Sequence, residues 1–500
     1  MSLIDNIVLG FGTALSPMNL LYCFIGVFMG TLLGALPGIG ALAAVSMLLP
    51  ITIGLDPTTA LVMLAGVYYG SEYGGSTSSI LLNLPGTPTN AVTCLDGYPM
   101  AQQGRAGVAL FSTTIASFFG GTIGVIGLYT LSPYLAGWAI AFGPADYFAL
   151  MITGLVAASV TQDAPLKGLS MVVFGLLLGT VGTDVDSGVA RYHLGYLELR
   201  DGISFIALAM GLFGVSEIIL SLRAGSEDRV VENVTLRSML PTRDDWKRSW
   251  LPAIRGTTIG SIFGILPGTG PTIATFMGYS LEKKLAKDPS RFGKGAIEGV
   301  VSPEAANNAG AQMAFIPTLS LGIPGSAVMA VMLGTLIMNG IAPGPQLMQT
   351  HPEVVWGLAA SFWVGNVLLV ILNIPMIGLW VRMLKIPYQL LFPAILVLIC
   401  VGVYTVRAST FDIFLVLLFG VIGYVLRLMR FQLAPVLIGF ILGPMIEQNF
   451  KRAMLFARGD ATQILTDPLP GILLALSLGL IVWSVYKSVR RRDEPLEETA

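Results

Sequence analysis

The sequence has 500 residues, of which 11% are charged and 54% are hydrophobic, and its mean hydropathy is +0.76. Since soluble domains contain about 25% charged residues, this composition excludes a large soluble domain. The net charge of −1 argues against a basic nucleic-acid surface, and three cysteines with two histidines support neither a disulfide framework nor a metal cluster.

Apolar stretches long enough to cross a bilayer recur along the chain. A helix of about 18 or more apolar residues spans a hydrocarbon core of about 30 Å. Such stretches include residues 20–36, 106–131, 354–381 and 471–486. The sequence therefore predicts an all-α polytopic membrane protein with about 10 to 14 spanning or re-entrant segments.

The first distinctive element is an apolar helix with three glycines spaced by four, Gly26, Gly30 and Gly34, which runs into Leu-Pro-Gly-Ile-Gly at residues 36–40. The pattern returns 230 positions later, at Gly256, Gly260, Gly264 and residues 266–270. Glycines at this spacing most often indicate close helix packing. Because proline removes a backbone donor and glycine adopts unusual dihedral angles, each copy also predicts the tip of a re-entrant hairpin. The duplication favours an internal repeat.

A second pair of helix breaks follows the two hairpins. Residues 83–86 read Asn-Leu-Pro-Gly, and residues 322–325, 239 positions later, read Gly-Ile-Pro-Gly. Each Pro-Gly step predicts an interrupted helix. The segments Asp96-Gly97-Tyr98-Pro99 and Asn339-Gly340-Ile341-Ala342-Pro343 are then predicted as turns.

The positive charges predict that the two copies have opposite orientations. No Lys or Arg precedes Arg105, whereas the second motif lies between Arg255 and Lys283. Because basic loops are cytoplasmic, the first hairpin should open to the periplasm and the second to the cytoplasm. Matching repeats with opposite flanking charge predict two inverted-topology repeats. The basic tail after Lys487 predicts a cytoplasmic C-terminus.

These patterns divide the chain into two membrane repeats. The first covers residues 1–222, with a core at 15–104 and bracing helices at 105–222. A cytoplasmic polar linker is predicted at 223–252. The second repeat covers residues 253–486, with its core at 253–350 and bracing helices at 351–486, and a cytoplasmic tail follows at 487–500.

The helix breaks predict a central binding site. Unwound backbone at membrane depth is tolerated only inside protein or around a water-filled cavity. Free helix N-termini attract anions, and free carbonyl groups suit Na⁺. The predicted substrate-binding residues are the polar and glycine residues at the breaks, namely Gly38, Gly40, Ser76, Thr77, Ser78, Asn83, Gly86, Thr87, Gly268, Thr269, Gly270, Asn307, Asn308, Gly325 and Ser326. The candidates for cation coupling are Leu36, Pro37, Leu266, Pro267, Glu72 and Glu304, with Na⁺ at the hairpin tips.

Glu72 and Glu304 are notable because ionisable groups inside a membrane are costly and usually functional. With an offset of 232 they take matching places in the two copies. They could bind a coupling cation, relay a proton or hold helices together, and the residues alone leave these three roles open.

Enzymatic motifs are absent from the sequence. It contains no His-Glu-x-x-His, Gly-x-Ser-x-Gly or Walker-type segment. The sequence therefore predicts a non-enzymatic protein without a bound cofactor, and any transport should depend on an ion gradient.

The chain resembles the large membrane subunit, TctA type, of the tripartite tricarboxylate transporters over nearly its whole length. The segments most similar to that family are 34–40, 72–86, 96–99, 264–268, 303–309 and 322–327. The resemblance implies a bacterial inner-membrane protein that works with a small four-helix subunit (TctB type) and a periplasmic solute-binding protein (TctC type). It also implies uptake of carboxylates such as citrate by cation symport, usually with Na⁺.

The sequence and the resemblance together predict a cation-coupled importer of tricarboxylates or related carboxylates, with an elevator-like motion of the core. The alternative is a passive channel or a membrane scaffold, in which the helix breaks serve packing alone.

Overall fold

The computed structural model describes residues 3–36, 39–160, 164–184, 187–224, 234–266, 270–383 and 388–492. Over these residues the chain is almost entirely helical, and the one described β-hairpin pairs Gly182–Thr183 antiparallel with Ala190–Arg191. The predicted all-α class is confirmed.

The N-terminal half consists of ten α-helices over the described residues. They are α1 (Leu3–Ala14), α2 (Pro17–Ala35), α3 (Gly40–Leu48), α4 (Pro57–Leu82), α5 (Ala91–Met100), α6 (Ala106–Ala139), α7 (Pro144–Val160), α8 (Pro165–Gly179), α9 (Phe205–Ala209) and α10 (Ser216–Ala224). Short 3₁₀ turns occur at Leu49–Thr52, Pro88–Asn90 and Glu198–Asp201, and π-helical turns at Ala101–Arg105 and Met210–Val215.

The C-terminal half adds thirteen α-helices over the described residues. They are α11 (Arg243–Ile265), α12 (Gly270–Leu285), α13 (Glu298–Met313), α14 (Phe315–Leu321), α15 (Ala327–Met338), α16 (Leu347–Thr350), α17 (Pro352–Asn373), α18 (Ile377–Met383), α19 (Tyr388–Arg407), α20 (Thr410–Leu428), α21 (Ala434–Phe456), α22 (Ala461–Thr466) and α23 (Pro468–Arg492). Further 3₁₀ turns lie at Leu236–Met239 and Pro289–Arg291.

Five helical segments of the described chain are long and apolar enough to cross a membrane: Pro17–Ala35, Pro88–Ala139, Pro352–Asn373, Thr410–Leu428 and Pro468–Tyr486. Seven further apolar helices are shorter. The long central helix α4 is not among the five because it carries many polar residues, and it is buried from Thr58 to Leu81. The segments that a hydropathy criterion misses are therefore the ones at the centre of the fold.

The spaced glycines bring two helix pairs into backbone contact. A Cβ atom at Gly30 of α2 would lie 2.3 Å from the Val67 carbonyl oxygen of α4, and one at Gly260 of α11 would lie 2.2 Å from the Ala306 carbonyl oxygen of α13. Only glycine allows such an approach, so both glycine series pack one helix of a hairpin against a central helix.

The second hairpin is closed by an ion pair. The Arg255 guanidinium of α11 donates two hydrogen bonds of 2.6 Å to the Glu282 carboxylate of α12. Because Glu282 lies near the end of α12 and Arg255 near the middle of α11, α12 runs back along the second half of α11 as a hairpin. The basic flank seen in the sequence therefore has a structural role at the hairpin base.

The two halves interlock at the centre. Helix α5 of the N-terminal half packs on α13, and the 3₁₀ turn Pro88–Asn90 before it contacts α12. In return, α15 of the C-terminal half contacts α3 and α4. Each interrupted segment therefore lies against the hairpin of the other half.

The predicted linker is shorter than expected on its C-terminal side. Helix α11 begins at Arg243, where Thr242 and Asp245 form a capping box, so residues 243–252 are helical. The charged residues that indicated a linker lie on a helix, and one of them, Arg248, donates two hydrogen bonds of 2.9 Å to Glu298. The linker residues 225–233 lie outside the described residues.

Replacing Gly30 or Gly260 with alanine should destabilise the protein, because the new methyl group would meet a carbonyl oxygen. Overpacking of this kind costs about 1–3 kcal/mol. The measurement is the thermal unfolding midpoint of the purified protein in detergent. Gly12→Ala is the matched control, since a Cβ atom at this helical glycine meets nothing within 4 Å. Equal midpoints for Gly30→Ala and Gly12→Ala would contradict the packing argument.

Candidate functional site

The two hairpin tips share one backbone geometry. Helices α2 and α11 end at Leu36 (φ −79°, ψ 114°) and Leu266 (φ −76°, ψ 119°). The returning helices begin at Gly40 (φ 66°) and Gly270 (φ 60°), which have left-handed conformations that favour glycine. The predicted tip residues Pro37, Gly38, Pro267, Gly268 and Thr269 lie outside the described residues.

The two Pro-Gly breaks also match each other. Asn83 ends α4 and Gly322 ends α14, both in a left-handed conformation, with φ values of 57° and 71°. The chain then becomes extended at Thr87 and at Ser326, before the helical segments that follow. Both breaks are therefore real helix terminations rather than kinks.

The first hairpin is bonded to the first break through Gly86. The Gly40 N–H donates to the Gly86 carbonyl oxygen over 3.0 Å. A Cβ atom at Gly86 would lie 2.2 Å from the Gly34 carbonyl oxygen and 2.4 Å from the Gly75 Cα atom, so only glycine fits. In the second half, a Cβ atom at Gly270 would lie 4.0 Å from that of Ser326. Each hairpin therefore lies beside the break of its own half.

Glu72 lies on the central helix α4 and is only 2% exposed. Its Oε2 atom accepts hydrogen bonds from the Thr89 hydroxyl (2.5 Å) and from the Asn307 amide (2.9 Å). The Thr87 hydroxyl is a further neighbour at 3.1 Å. The carboxylate is thus held by residues from both halves of the chain.

Glu304 lies on α13 and is 1% exposed. Its Oε2 atom accepts from the Ser76 hydroxyl (2.8 Å) and, more weakly, from the Ser117 hydroxyl (3.3 Å). Its Oε1 atom accepts from the Asn90 amide (3.1 Å) and from the Thr93 hydroxyl. Four neutral donors from the N-terminal half therefore surround a carboxylate of the C-terminal half.

The two carboxylates belong to one hydrogen-bond chain. The Thr89 hydroxyl, bonded to Glu72, lies 2.6 Å from that of Thr87, which is 2.5 Å from the Asn90 Oδ1 atom, and the Asn90 amide group bonds to Glu304. Among the described residues, neither carboxylate forms an ion pair with Lys, Arg or His. Since an ionised carboxylate without a counterion is costly inside a bilayer, the network needs a proton or a cation for neutrality.

The matching of Glu72 with Glu304 in the sequence is wrong. In the structure, Gly34 faces Ser71, and its counterpart Gly264 faces Gly310, which sets an offset of 239 between the central helices. Glu72 follows Ser71 directly, whereas Glu304 precedes Gly310 by more than one helical turn. The offset of 232 aligned Glu72 with Glu304 only because both are glutamates. In the structure they lie near each other because α4 packs near α13, not because they are equivalent positions.

Of the predicted binding residues, Ser76, Thr87 and Asn307 join the carboxylate network. Others have local roles. Ser78 bonds to the Gly75 carbonyl oxygen, and Asn308 bonds to the Glu304 carbonyl oxygen of its own helix. The remaining predicted residues that the structure describes cap or border helix breaks, as is the case for Asn83, Gly86, Gly325 and Ser326, while Thr77 is buried on α4.

Four residues of the network are absent from the predicted set, namely Thr89, Asn90, Thr93 and Ser117. Thr89 and Thr93 lie four residues apart just after the first Pro-Gly step, a spacing that places them on one helix face and could have indicated them. Ser117 belongs to α6, which was predicted as a bracing helix. Its part in the network depends on how α6 packs on α13, which no local pattern reveals.

Asp96 fixes the position of α5, the helix that carries Thr93. Its Oδ1 atom accepts hydrogen bonds of 2.8–3.1 Å from four consecutive backbone N–H groups of the loop before α13 (Gly293, Lys294, Gly295 and Ala296). The segment 96–99 was predicted as a turn, but Asp96 and Pro99 lie within α5. The Asp-Gly turn signal failed because this side chain caps a distant loop instead of its own backbone.

The same loop is bordered by a basic and acidic cluster. Glu298, the first residue of α13, bonds to the guanidinium groups of Arg248 and Arg291 at 2.9–3.0 Å. Burial opposes ionisation of Glu298, but the hydrogen bonds and the charge of Arg248 outweigh it and lower the pKa of this carboxyl.

Interrupted helices around buried carboxylates are typical of secondary transporters. The chain belongs to the family described as the tripartite tricarboxylate transporter TctA family, whose sequence profile matches residues 20–438. It is thus a subunit of a tripartite tricarboxylate transporter, a system in which TctA proteins act with other subunits, and the family is one of transporters rather than enzymes.

Two proteins of Agrobacterium vitis are similar to this chain. An uncharacterized 52.8 kDa protein in the TAR-I ttuC' 3' region is 49% identical over 500 residues, which cover 100% of this chain and 99% of that protein. An uncharacterized protein in the TAR-II ttuC' 3' region is 49% identical over 240 residues, which cover 48% of this chain and 99% of that protein. No solved structure matches the chain.

Asp96→Ala should loosen the loop before α13, because four backbone N–H groups lose their acceptor. Each buried unsatisfied group costs about 1–3 kcal/mol. Limited trypsin digestion should cut faster after Lys294 in this variant than in the wild type. Asp460→Ala is the control, since Asp460 is an exposed helix cap that bonds to Thr462, far from this loop in the sequence. Equal cleavage rates in the two variants would show that Asp96 does not hold the loop.

Proposed function

We propose that this protein carries a tricarboxylate or related carboxylate anion across the bacterial inner membrane by cation symport, most simply with Na⁺. Its partners in this proposal are a small four-helix membrane subunit and a periplasmic solute-binding protein that delivers the substrate. The observation that carries the coupling proposal is the pair Glu72 and Glu304, buried in one hydrogen-bond chain without a basic partner among the described residues.

The charge of this network supports cation coupling. Two carboxylates at the centre of a membrane protein are stable only if a proton or a cation offsets their charge. The donors around them are hydroxyl and amide groups, which stabilise a carboxylate but add no positive charge. An ion that binds here is therefore favoured electrostatically, and its release requires work that a gradient can supply.

An anionic substrate needs a separate attraction. The N-terminal core has no Lys or Arg, since Arg105 is the first basic residue. The breaks instead offer helix N-termini, at Gly40 and Gly270 after the hairpins and at Ser326 before α15. Helix N-termini attract carboxylates through their free N–H groups and dipole. We assign the substrate to these termini and to the tip residues beside them, and the bound cation would offset the remaining charge.

The matching backbone at the breaks supports two repeats of inverted topology. Leu36 with Leu266 and Asn83 with Gly322 have the same conformations at offsets of 230 and 239. The flanking charges differ, as the sequence predicts for opposite orientations. In this proposal the C-terminus is cytoplasmic, and the interlocked core moves as a unit against the outer helices in an elevator-like step.

Coupling can be tested by uptake of radiolabelled citrate and of other carboxylates into proteoliposomes that hold the complete system. Glu72→Gln and Glu304→Gln should each lower Na⁺-driven uptake at least about tenfold, which corresponds to about 1.4 kcal/mol. Glu353→Gln, at an exposed glutamate in the first turn of α17, is the matched control and should keep full uptake.

Two outcomes would contradict this proposal. Wild-type uptake that ignores imposed Na⁺ and proton gradients would exclude symport. Transport that neither saturates nor accumulates substrate against a gradient would indicate a passive channel.

The orientation proposal has its own test in a background without Cys23, Cys94 and Cys400. Ile51→Cys and Leu285→Cys place exposed cysteines at the ends of the two returning hairpin segments. A membrane-impermeant maleimide added to intact spheroplasts should label position 51 and leave position 285 unlabelled until the cells are lysed. Labelling of both positions from the same side would rule out the inverted topology.

A further inference from the structure

We infer that a small void between α4, α6 and α17 is a binding site for a dehydrated Na⁺ ion, adjacent to Glu304. The inference rests on the proposed function for its role in transport. The void is lined mainly by oxygen-bearing side chains, among them Tyr73, Ser76, Thr113, Thr114, Ser117 and Asn373. None of the four residues on α6 and α17, which are Thr113, Thr114, Ser117 and Asn373, was predicted as a binding residue.

The hydrogen atoms of four of the lining hydroxyl groups are committed elsewhere. Thr113 and Thr114 donate to the Leu110 carbonyl oxygen of their own helix, over 2.9 and 2.8 Å. Ser76 and Ser117 donate to the Glu304 Oε2 atom. A hydroxyl whose hydrogen is used still has lone pairs to offer. These four oxygens can therefore act as ligands to a cation and are poor donors to an anion.

Two further oxygens have no partner. The Asn373 amide donates its Nδ2 hydrogen to the Leu369 carbonyl oxygen over 2.9 Å, which leaves Oδ1 as the free acceptor. Among the described residues, the Asn373 Oδ1 atom and the Tyr73 hydroxyl are buried without a hydrogen-bond partner, and each residue is only 3% exposed. Buried polar atoms without partners are rare in folded proteins and indicate a missing ligand or a functional role.

The size of the void selects its occupant. It has no room for a water molecule, so bridging water is not the explanation for the free oxygens. A dehydrated Na⁺ or Li⁺ ion is smaller than water, whereas K⁺ is about as large. Hard cations prefer oxygen ligands, and the Glu304 carboxylate behind Ser76 and Ser117 supplies the negative charge. The geometry therefore favours Na⁺ over K⁺.

The position of the void links ion binding to movement. Tyr73 and Ser76 belong to the central helix α4, whereas α6 and α17 were assigned to the bracing helices. If the core slides against those helices, the ligand set exists in only one of the two arrangements. Sodium bound here would then stabilise that arrangement, because a ligand favours the state that binds it better.

The test is binding of ²²Na⁺ to the purified full-length protein, with choline as the inert cation. The variants Thr113→Val and Asn373→Ala each remove one ligand, and we expect each to weaken Na⁺ binding at least about tenfold. Thr113→Ser keeps the hydroxyl and should restore binding. Thr130→Val is the matched control, because Thr130 also donates to a carbonyl of α6 but is exposed and does not line the void. Unlabelled Li⁺ should displace bound ²²Na⁺ more effectively than K⁺ does.

The inference would be overturned if the wild-type protein bound no ²²Na⁺. It would also be overturned if Thr113→Val and Asn373→Ala bound ²²Na⁺ as well as Thr130→Val does. Thr114→Val replaces either variant if that variant elutes as an aggregate.

Uptake by the complete system separates the two proposals. If uptake by Thr113→Val is still driven by Na⁺ and its half-saturating Na⁺ concentration is unchanged, symport is supported and this site is excluded. If Thr113→Val abolishes ²²Na⁺ binding but uptake by the complete system ignores the Na⁺ gradient, the site is supported and Na⁺ symport is removed.

Discussion

A helix that breaks inside a bilayer leaves backbone N–H and C=O groups that lipid cannot satisfy, so the break must be enclosed by protein. In this protein the enclosure depends on backbone-to-backbone contact between hairpin helices and central helices. Gly30 against Val67 and Gly260 against Ala306 allow that contact. At Gly86 three stretches of backbone meet, since a Cβ atom there would lie within 2.4 Å of both Gly34 and Gly75. The glycines that pack the helices therefore also make the helix breaks possible, so helix packing and a broken helix are not alternative interpretations of the motif.

The enclosed space then determines the electrostatics. Burial raises the energy of Glu72 and Glu304 as charged groups, while the surrounding hydroxyl and amide groups lower it without neutralising it. Asn90 lies at the centre of this balance, because its amide bonds to Glu304 while its carbonyl oxygen faces Thr87. A network of this kind is sensitive to any added positive charge, which is the physical basis of the coupling that we propose.

The sequence was sufficient for features that depend on local backbone chemistry. The hairpin ends at Gly40 and Gly270 and the terminations at Asn83 and Gly322 follow from residues that favour left-handed or broken backbone. It was insufficient where distant side chains compete with local signals. Asp96 lies in a helix because a loop nearly two hundred positions away uses its carboxylate. Ser117 gave no signal at all, since its contact with Glu304 depends on helix packing between the two halves.

The register of the two halves shows how a duplicated frame holds an asymmetric site. With the offset of 239 that the glycine contacts define, the counterpart of Glu72 is Ala311 and the counterpart of Glu304 is Ala65, and both alanines are buried. The breaks are therefore repeated, but the carboxylates are not. Carboxylates at residues 65 and 311 as well would make four buried carboxylates in these two helices, with far more charge to offset. Retaining one carboxylate per half, at non-equivalent positions of the two central helices, keeps the two breaks similar while giving the proposed ion site a single position and a single set of ligands.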